Sequence, residues 1–363
     1  MQTDILFRKA LSLGPLTPAE GLFLYDNAPL AELMAIGLEL RRLHVPGNEV
    51  GWIIDRNVNI TNICFSQCSF CNFCRKDGDA DAYVTTMEEY REKIRTLFEL
   101  GGDQLLLQGG MHPRLGLDFY TRLFSDLKSE FPALRLHALG PPEVIWLARK
   151  EKKPVREVLE TLHAAGLDSL PGAGAEILSD RVRKIVSPVK GSTAQWLDVM
   201  REAHRMNLPT SATMMFGHAE TPLERMEHLA LLRELQSEKP DGAYGFVTFV
   251  PWPFQSEGTR LADEKGIKSS VTAGDYVRLV AVSRIMLNNI ANIQSSLLTV
   301  GESTAMVTLH AGANDLGSVM IEENVVSSAG GGHRFDAGEI KEIIRRAGFE
   351  PRRRDQKYQT VAE

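Results

Sequence analysis

The sequence predicts an α/β protein whose strands close, completely or nearly so, into a (β/α) TIM-type barrel with an N-terminal helical extension and a short C-terminal extension. Three observations carry this expectation. From Gly51 onward, short apolar segments alternate with amphipathic ones, the order that a mainly parallel sheet with crossover helices produces. Seven or eight such units fit in the 363 residues, which favours a barrel and leaves a doubly wound open sheet as the alternative. Glycines at Gly101-Gly102, Gly166 and Gly348 each follow an amphipathic run, where a left-handed helix ending is wanted.

Residues 1–50 read as a helical cap. ILFRKALSL is one helix, Thr17 can cap the next with Pro18 in its first position, and a third runs from about Leu30 to Leu43, stopping before Pro46. The barrel is expected over 51–330. Its strands are Val58–Ile63, Gln104–Gln108, Leu134–Ala138, Leu167–Leu170, Thr210–Phe216, Gly245–Val250, Ile293–Leu298 and a weak one near Ala311–Leu316. Between them lie helices at Met87–Leu100, Leu117–Phe131, Val155–Ala165, Ala194–Met206, Thr221–Glu238, Ala273–Asn289 and Ala305–Leu309. Residues 331–363 should add a helix and a tail packed on the barrel. The run Arg352-Arg353-Arg354 reads as solvated surface, and Gly330-Gly331-Gly332-His333 as a flexible loop.

Composition narrows the function classes. With 43% hydrophobic and 24% charged residues the chain can bury a large core. A net charge of −6 gives no general attraction to nucleic acid or anionic lipid, so neither is expected as a partner. No stretch approaches the roughly 18 apolar residues of a membrane span, and the N-terminus lacks a signal-peptide pattern, so a soluble cytoplasmic protein is expected. GxGxxG with a following acid, GxxxxGK[ST] and HExxH do not occur, leaving dinucleotide, P-loop and zinc-protease chemistry without motif support.

All four cysteines fall between positions 64 and 74, which rules out a distributed disulfide framework. Cys64, Cys68 and Cys71 form a Cys-x3-Cys-x2-Cys loop after the first expected strand, at the end of a barrel where functional loops sit. Three thiolates can hold three irons of a cubane, leaving the fourth iron open to a chelating amino acid. Phe70 and Phe73 offer apolar cover. A zinc site would draw its cysteines as two separated pairs, and a ferredoxin-like run would use Cys74 as a fourth ligand; a buried bystander role for Cys74 is the simpler reading.

The segment DRNVNITNICFSQCSFCNFCRK resembles the signature of the radical S-adenosylmethionine (SAM) superfamily, in which an aromatic residue precedes the third cysteine, as Phe70 does here. LLLQGGMHP, AGLDSLPGAGAEIL, SATMMFGHAET, FVPWPFQSEGTRL, NIQSS and GANDLGSVMIEENVV further resemble the cyclic dehypoxanthine futalosine synthase family. Cys74 departs from that pattern, where an aromatic residue is more usual. The resemblance implies a 4Fe-4S cluster, bound SAM and an external one-electron reductant such as flavodoxin or ferredoxin. It implies dehypoxanthine futalosine as substrate, with hydrogen removal from the ribose 4′ carbon and attack on the aromatic ring, on the way to menaquinone. Aminofutalosine synthase and a deazaflavin synthase subunit are the enzyme alternatives; an iron-sulfur electron carrier is the non-enzyme one.

Other stretches suggest partners for these groups. Gly109 and Gly110, by analogy with the superfamily's Gly-Gly-Glu element, should meet the SAM amino group, or else form a tight turn. Glu176 is a second SAM candidate, with a helix-start acid as its alternative. Arg183, like Arg181, could meet a carboxylate or be an ordinary surface charge. Thr213, Trp252 and Gln255 could line a substrate pocket, as could Asn314 and Asp315. The base that rearomatisation needs is sought in His218 or a late acid, Glu322 or Glu323.

Overall fold

The computed structural model describes residues 2–322 and 334–362. Its helices are α1 (Gln2–Leu11), α2 (Pro18–Asn27), α3 (Leu30–His44), α4 (Met87–Glu99), α5 (Leu117–Glu130), α6 (Pro141–Glu151), α7 (Val155–Ala164), α8 (Asp180–Val186), α9 (Thr193–Arg205), α10 (Pro222–Ser237), α11 (Arg260–Asp263), α12 (Ala273–Met286), α13 (Leu297–Leu309) and α14 (Ala337–Arg346). Its strands are β1 (Glu49–Ile53), β2 (Asp55–Asn59), β3 (Gln104–Gln108), β4 (Arg135–Ala138), β5 (Thr210–Phe216), β6 (Phe246–Pro253), β7 (Asn292–Ile293), β8 (Asp315–Ser318) and β9 (Glu350–Arg353). Glu323, Gly330–His333 and the expected 330/331 boundary lie outside the described residues.

Helix starts follow the capping chemistry read from the sequence. Thr17 accepts the Glu20 N–H at 3.2 Å while Glu20 accepts the Thr17 N–H at 2.7 Å, a reciprocal capping box that starts α2. The first three helices then dock on α10 and α12. A Cβ at Gly37 of α3 would stand 2.3 Å from the Ala311 carbonyl oxygen, so only glycine permits that approach. Arg233 of α10 donates to the Leu16 carbonyl at 2.7 Å, tying the cap down.

The strands are parallel throughout and fall into three sheets, ordered β8-β1-β9, β2-β3-β4 and β5-β6-β7. Single bridges join them: His137 with Ser169, Leu170 with Thr210, and Gln294 with Asp315. The Ile321 N–H donates to the Asp55 carbonyl at 3.2 Å, bringing the chain after β8 beside β2. The ladder is therefore interrupted among the described residues, where the sequence led us to expect a closed or nearly closed one. Two of the expected strands account for the interruptions. Leu167–Leu170 contributes only bridge pairs, and the expected Ile293–Leu298 strand ends at Ile293 because Leu297 already begins α13. Ser295 and Ser296 turn the chain there: Ser295 Oγ accepts from Thr308 at 2.9 Å, and the Ser296 N–H donates to the Tyr276 hydroxyl at 2.8 Å.

Strand alternation decides which face meets the cavity. In β2, Val58 enters the apolar core while Asp55, Asn57 and Asn59 share the opposite face, all buried. Buried polar side chains in that position mark a lined interior rather than a filled one. β9 is a further departure. Expected as part of a tail packed on the barrel, it instead joins a sheet, pairing with β1 in register from Glu49↔Glu350 to Trp52↔Arg353. No helix of the described residues is long and apolar enough to cross a membrane.

Candidate active site

Parallel strands place their carboxyl ends together, and the cysteine loop leaves the end of β2. Its base is closed by the Cys64 N–H donating to the Arg75 carbonyl at 3.0 Å and the Arg75 N–H donating to Asn62 at 2.8 Å. The Ser69 N–H donates to Val186 at 2.9 Å, and the Leu261 N–H donates to Ser69 at 2.7 Å, anchoring the loop's middle to α8 and α11. A Cβ on Gly110 would sit 2.2 Å from the Ile63 carbonyl oxygen and 3.0 Å from the Cys64 Cβ. Gly109-Gly110 is thus the surface on which the cysteine loop is seated.

Cys68 is buried, and Cys64, Cys71 and Cys74 are half-buried. The Cys74 sulfur lies 3.3 Å from the Cys64 carbonyl and also within reach of the Cys64 thiol. A hydrogen bond from Cys74 holds the Cys64 thiol down at about 6, against burial. Burial pushes Cys68 up to about 11, opposed by the Lys190 ammonium.

Beside the loop, a cavity of about 360 Å³ runs into the fold. At the cysteine end its wall includes Phe70, Glu176, Lys190 and Trp252. Lys190 lies 2.9 Å from Glu176 Oε1 and 5.2 Å from the Phe70 ring centroid. Burial would raise the Glu176 pKa, but the Lys190 charge outweighs it and holds the carboxylate below its usual range. Glu143, which reads as nothing in the sequence, stands at the start of α6 with its Oε2 unpartnered. Burial takes its pKa up to about 7. Deeper in, Asp55, Asn57, Gln108, His137, Thr213 and Gln356 line the wall.

Comparison with known proteins decides the family. The radical SAM superfamily model matches residues 58–232, and the CofH/MqnC C-terminal region model matches residues 243–363. The chain is 42% identical to the cyclic dehypoxanthine futalosine synthase of Streptomyces coelicolor, over 97% of this chain and 87% of that one. It belongs to the radical SAM superfamily, in its CofH/MqnC family. Identity is 37% to the cyclic dehypoxanthine futalosine synthase of Halalkalibacterium halodurans, over 99% of this chain and 95% of the relative. It is 39% to the 5-amino-6-(D-ribitylamino)uracil–L-tyrosine 4-hydroxyphenyl transferase 1 of Methanosarcina mazei, over 96% and 92%. Among solved structures, methylornithine synthase superposes with a TM-score of 0.69 at 20% identity, over 97% of this chain and 98% of that one. The FeFe-hydrogenase maturase of Carboxydothermus hydrogenoformans gives 0.71 at 17% identity, over 98% and 80%. These two likenesses concern the fold alone.

A CofH/MqnC-family radical SAM enzyme uses a 4Fe-4S cluster and SAM, and Cys64, Cys68 and Cys71 are the matching thiolates. The loop fits that group: its three cysteines sit on one tight, anchored turn beside a cavity, with a glycine floor and the half-buried Lys190 ammonium next to it. Of the other residues singled out by sequence, Phe70, Glu176, Thr213 and Trp252 line the cavity. The rest stand behind it, and each has a structural partner. Phe73 packs edge-on against Tyr83, with centroids 6.5 Å apart. Arg183, buried, donates to the carbonyls of Gly174, Ala175 and Gly191, each at 2.9 Å, so it shapes the Glu176 loop and is no surface charge. Arg181 is held by Glu224.

His218 donates its Nε2–H to the Met215 carbonyl (2.9 Å) and lies 3.2 Å from Glu220, outside the lining. Glu322 pairs with Arg56 at 3.0 Å and with Lys93, on the α4 side of β2. Gln255 donates to Pro253 at 3.0 Å and borders a neighbouring cavity of about 510 Å³. Asn314 joins Arg284, Asn292 and the Ile293 N–H in a buried network. Asp315 takes both hydrogen bonds of Arg354, at 2.6 and 2.8 Å. Arg354 is therefore buried and lines the cavity, which corrects the expectation that 352–354 is solvated surface. A lone basic run carries no signal of a distant aspartate opposite it.

Proposed function

We propose that this enzyme cyclises dehypoxanthine futalosine in menaquinone biosynthesis, inside a barrel formed by the three parallel sheets. Identity of 42% over 97% of the chain to a cyclic dehypoxanthine futalosine synthase, against 39% to a transferase, supports this reading, as do the Trp252 and Phe70 faces that an aromatic ring could use. The transferase relatives are named for two substrates, a ribitylaminouracil and tyrosine, so their activity is the second reading, supported by nearly equal identity.

When bound, the cluster and SAM supply the one-electron chemistry that removes a hydrogen atom from an unactivated carbon; the cluster takes its electron from an external reductant of the flavodoxin or ferredoxin kind. The chain's own work is orientation and exclusion of water. Trp252 and Phe70 give flat apolar faces at the cysteine end, where an aromatic ring can be held. Rearomatisation after ring closure gives up one proton and one electron, the electron leaving to an external one-electron acceptor. Asp55, a buried carboxylate on the cavity wall with Ser318 and Gln104 as its hydrogen-bond donors, replaces His218 and Glu322 as the acceptor we propose.

Reconstituted, reduced protein supplied with SAM should form 5′-deoxyadenosine and the cyclised product with dehypoxanthine futalosine. Accumulation of 5′-deoxyadenosine only with tyrosine and the ribitylaminouracil would transfer the chain to the second reading.

A further inference from the structure

We infer that Asn57 and Gln356 form a hydroxyl-recognising floor in the cavity and set which polyhydroxylated substrate it accepts; this rests on the reading that a sugar-bearing substrate enters there. The observations are unspent hydrogen-bonding groups. Asn57 is buried and lines the cavity, and its Oδ1 has no partner. The neighbouring Gln104 Oε1 is likewise buried and unpartnered. Buried polar atoms without partners are rare in native proteins and call for a ligand or other explanation.

Gln356 arrives from a segment held at the interior by the buried Arg354–Asp315 pair. That segment is fixed as a small hairpin: Arg354 bridges Thr360, the Asp355 N–H donates to the Gln359 carbonyl at 2.9 Å, and Asp355 accepts from Arg135 at 2.7 Å. Its side chain lies 3.3 Å from Gln104 Nε2 and 3.5 Å from His137 Nε2. Both contacts are long, so the amide is positioned while keeping most of its bonding capacity. With the Asp55 carboxylate alongside, the floor is rich in acceptors. Such a surface matches hydroxyl donors and disfavours a carboxylate, so the ribose would turn its hydroxyls to the floor and its 4′ carbon to the cysteine end, with the substrate's carboxylate away from the floor.

Two experiments test this. With the unaltered enzyme, substrate analogues lacking one ribose hydroxyl at a time should include at least one whose kcat/KM falls about tenfold or more, because the acceptor it served is left unpaired. In Gln356→Leu and Asn57→Ala, KM for the intact substrate should rise about tenfold while cluster iron and SAM affinity stay unchanged, and the penalty for that missing hydroxyl should shrink. Equal kcat/KM across the analogues, or variants that keep the full hydroxyl penalty, would overturn the inference. If a variant loses its iron, the analogue series on the unaltered enzyme still decides. If dehypoxanthine futalosine is not turned over at all, the functional reading fails first. The same analogue series on the ribitylaminouracil, whose ribityl chain also carries hydroxyls, then tests the floor by itself.

Discussion

At the scale of single residues, the Cys-x3-Cys-x2-Cys spacing uses Cys64, Cys68 and Cys71, and Cys74 lies beside Cys64 as the bystander we propose. Cys74→Ser should keep the iron content and the SAM-dependent activity of the parent, whereas Ala at Cys64, Cys68 or Cys71 should abolish both; iron assay and electron paramagnetic resonance after anaerobic reconstitution check this. Lys190 was not visible as a site residue because an isolated lysine in a Pro-Val-Lys-Gly turn looks like any solvated charge. Its importance comes from Glu176, fourteen residues back and fully desolvated beside it. Lys190→Met should leave that carboxylate unpaired and cost about 3–5 kcal/mol, read as a lower denaturation midpoint and weaker SAM binding. Wild-type stability with unchanged SAM affinity would show that the pair is not coupled to the site.

Elements show how sequence reading succeeds and where it stops. β3 and β5 were legible to the residue, because their apolar segments are bounded by turns and flanked by well-capped helices. α4, α9 and α10 follow capping boxes at Thr86, Ser192 and Thr221. β1 and β9 were missed, since β9 is Glu-Pro-Arg-Arg and its strand character exists only through its pairing with β1. The candidate site divides the same way. The cysteines are local and were read directly, while Asp55, Asn57, His137, Lys190 and Gln356 converge from distant elements and carry no spacing signal. The packing of the glycine pair gives a prediction for the loop. Gly110→Ala would drive a Cβ into the Ile63 carbonyl, so it should cost about 1–3 kcal/mol and reduce iron incorporation. Retention of full iron with unchanged stability would contradict the seating role.

For the whole molecule, three deeply buried histidines link stability to pH. Burial takes His137 down to about 3, His204 to about 4 and His228 to about 3. Each is neutral when folded and takes up a proton near 6.5 when unfolded. Their contribution is therefore complete above pH 6.5 and is lost as pH falls from there toward 3 to 4. The slope is up to about 1.4 kcal/mol per group per pH unit, so the thermal midpoint should drop between pH 7 and 5.5. His228→Gln should flatten that drop; an unchanged midpoint over the same range would contradict the account.

Three sheets joined by single bridges leave the interior wide enough for a ligand, and the cysteine loop caps its carboxyl end. The claim that binds these features together is that a sugar carbon is presented to the cluster end of this cavity. It is tested most directly by supplying dehypoxanthine futalosine deuterated at the ribose 4′ carbon. The account predicts 5′-deoxyadenosine carrying one deuterium in step with cyclised product. Unlabelled 5′-deoxyadenosine formed during full product turnover would contradict it.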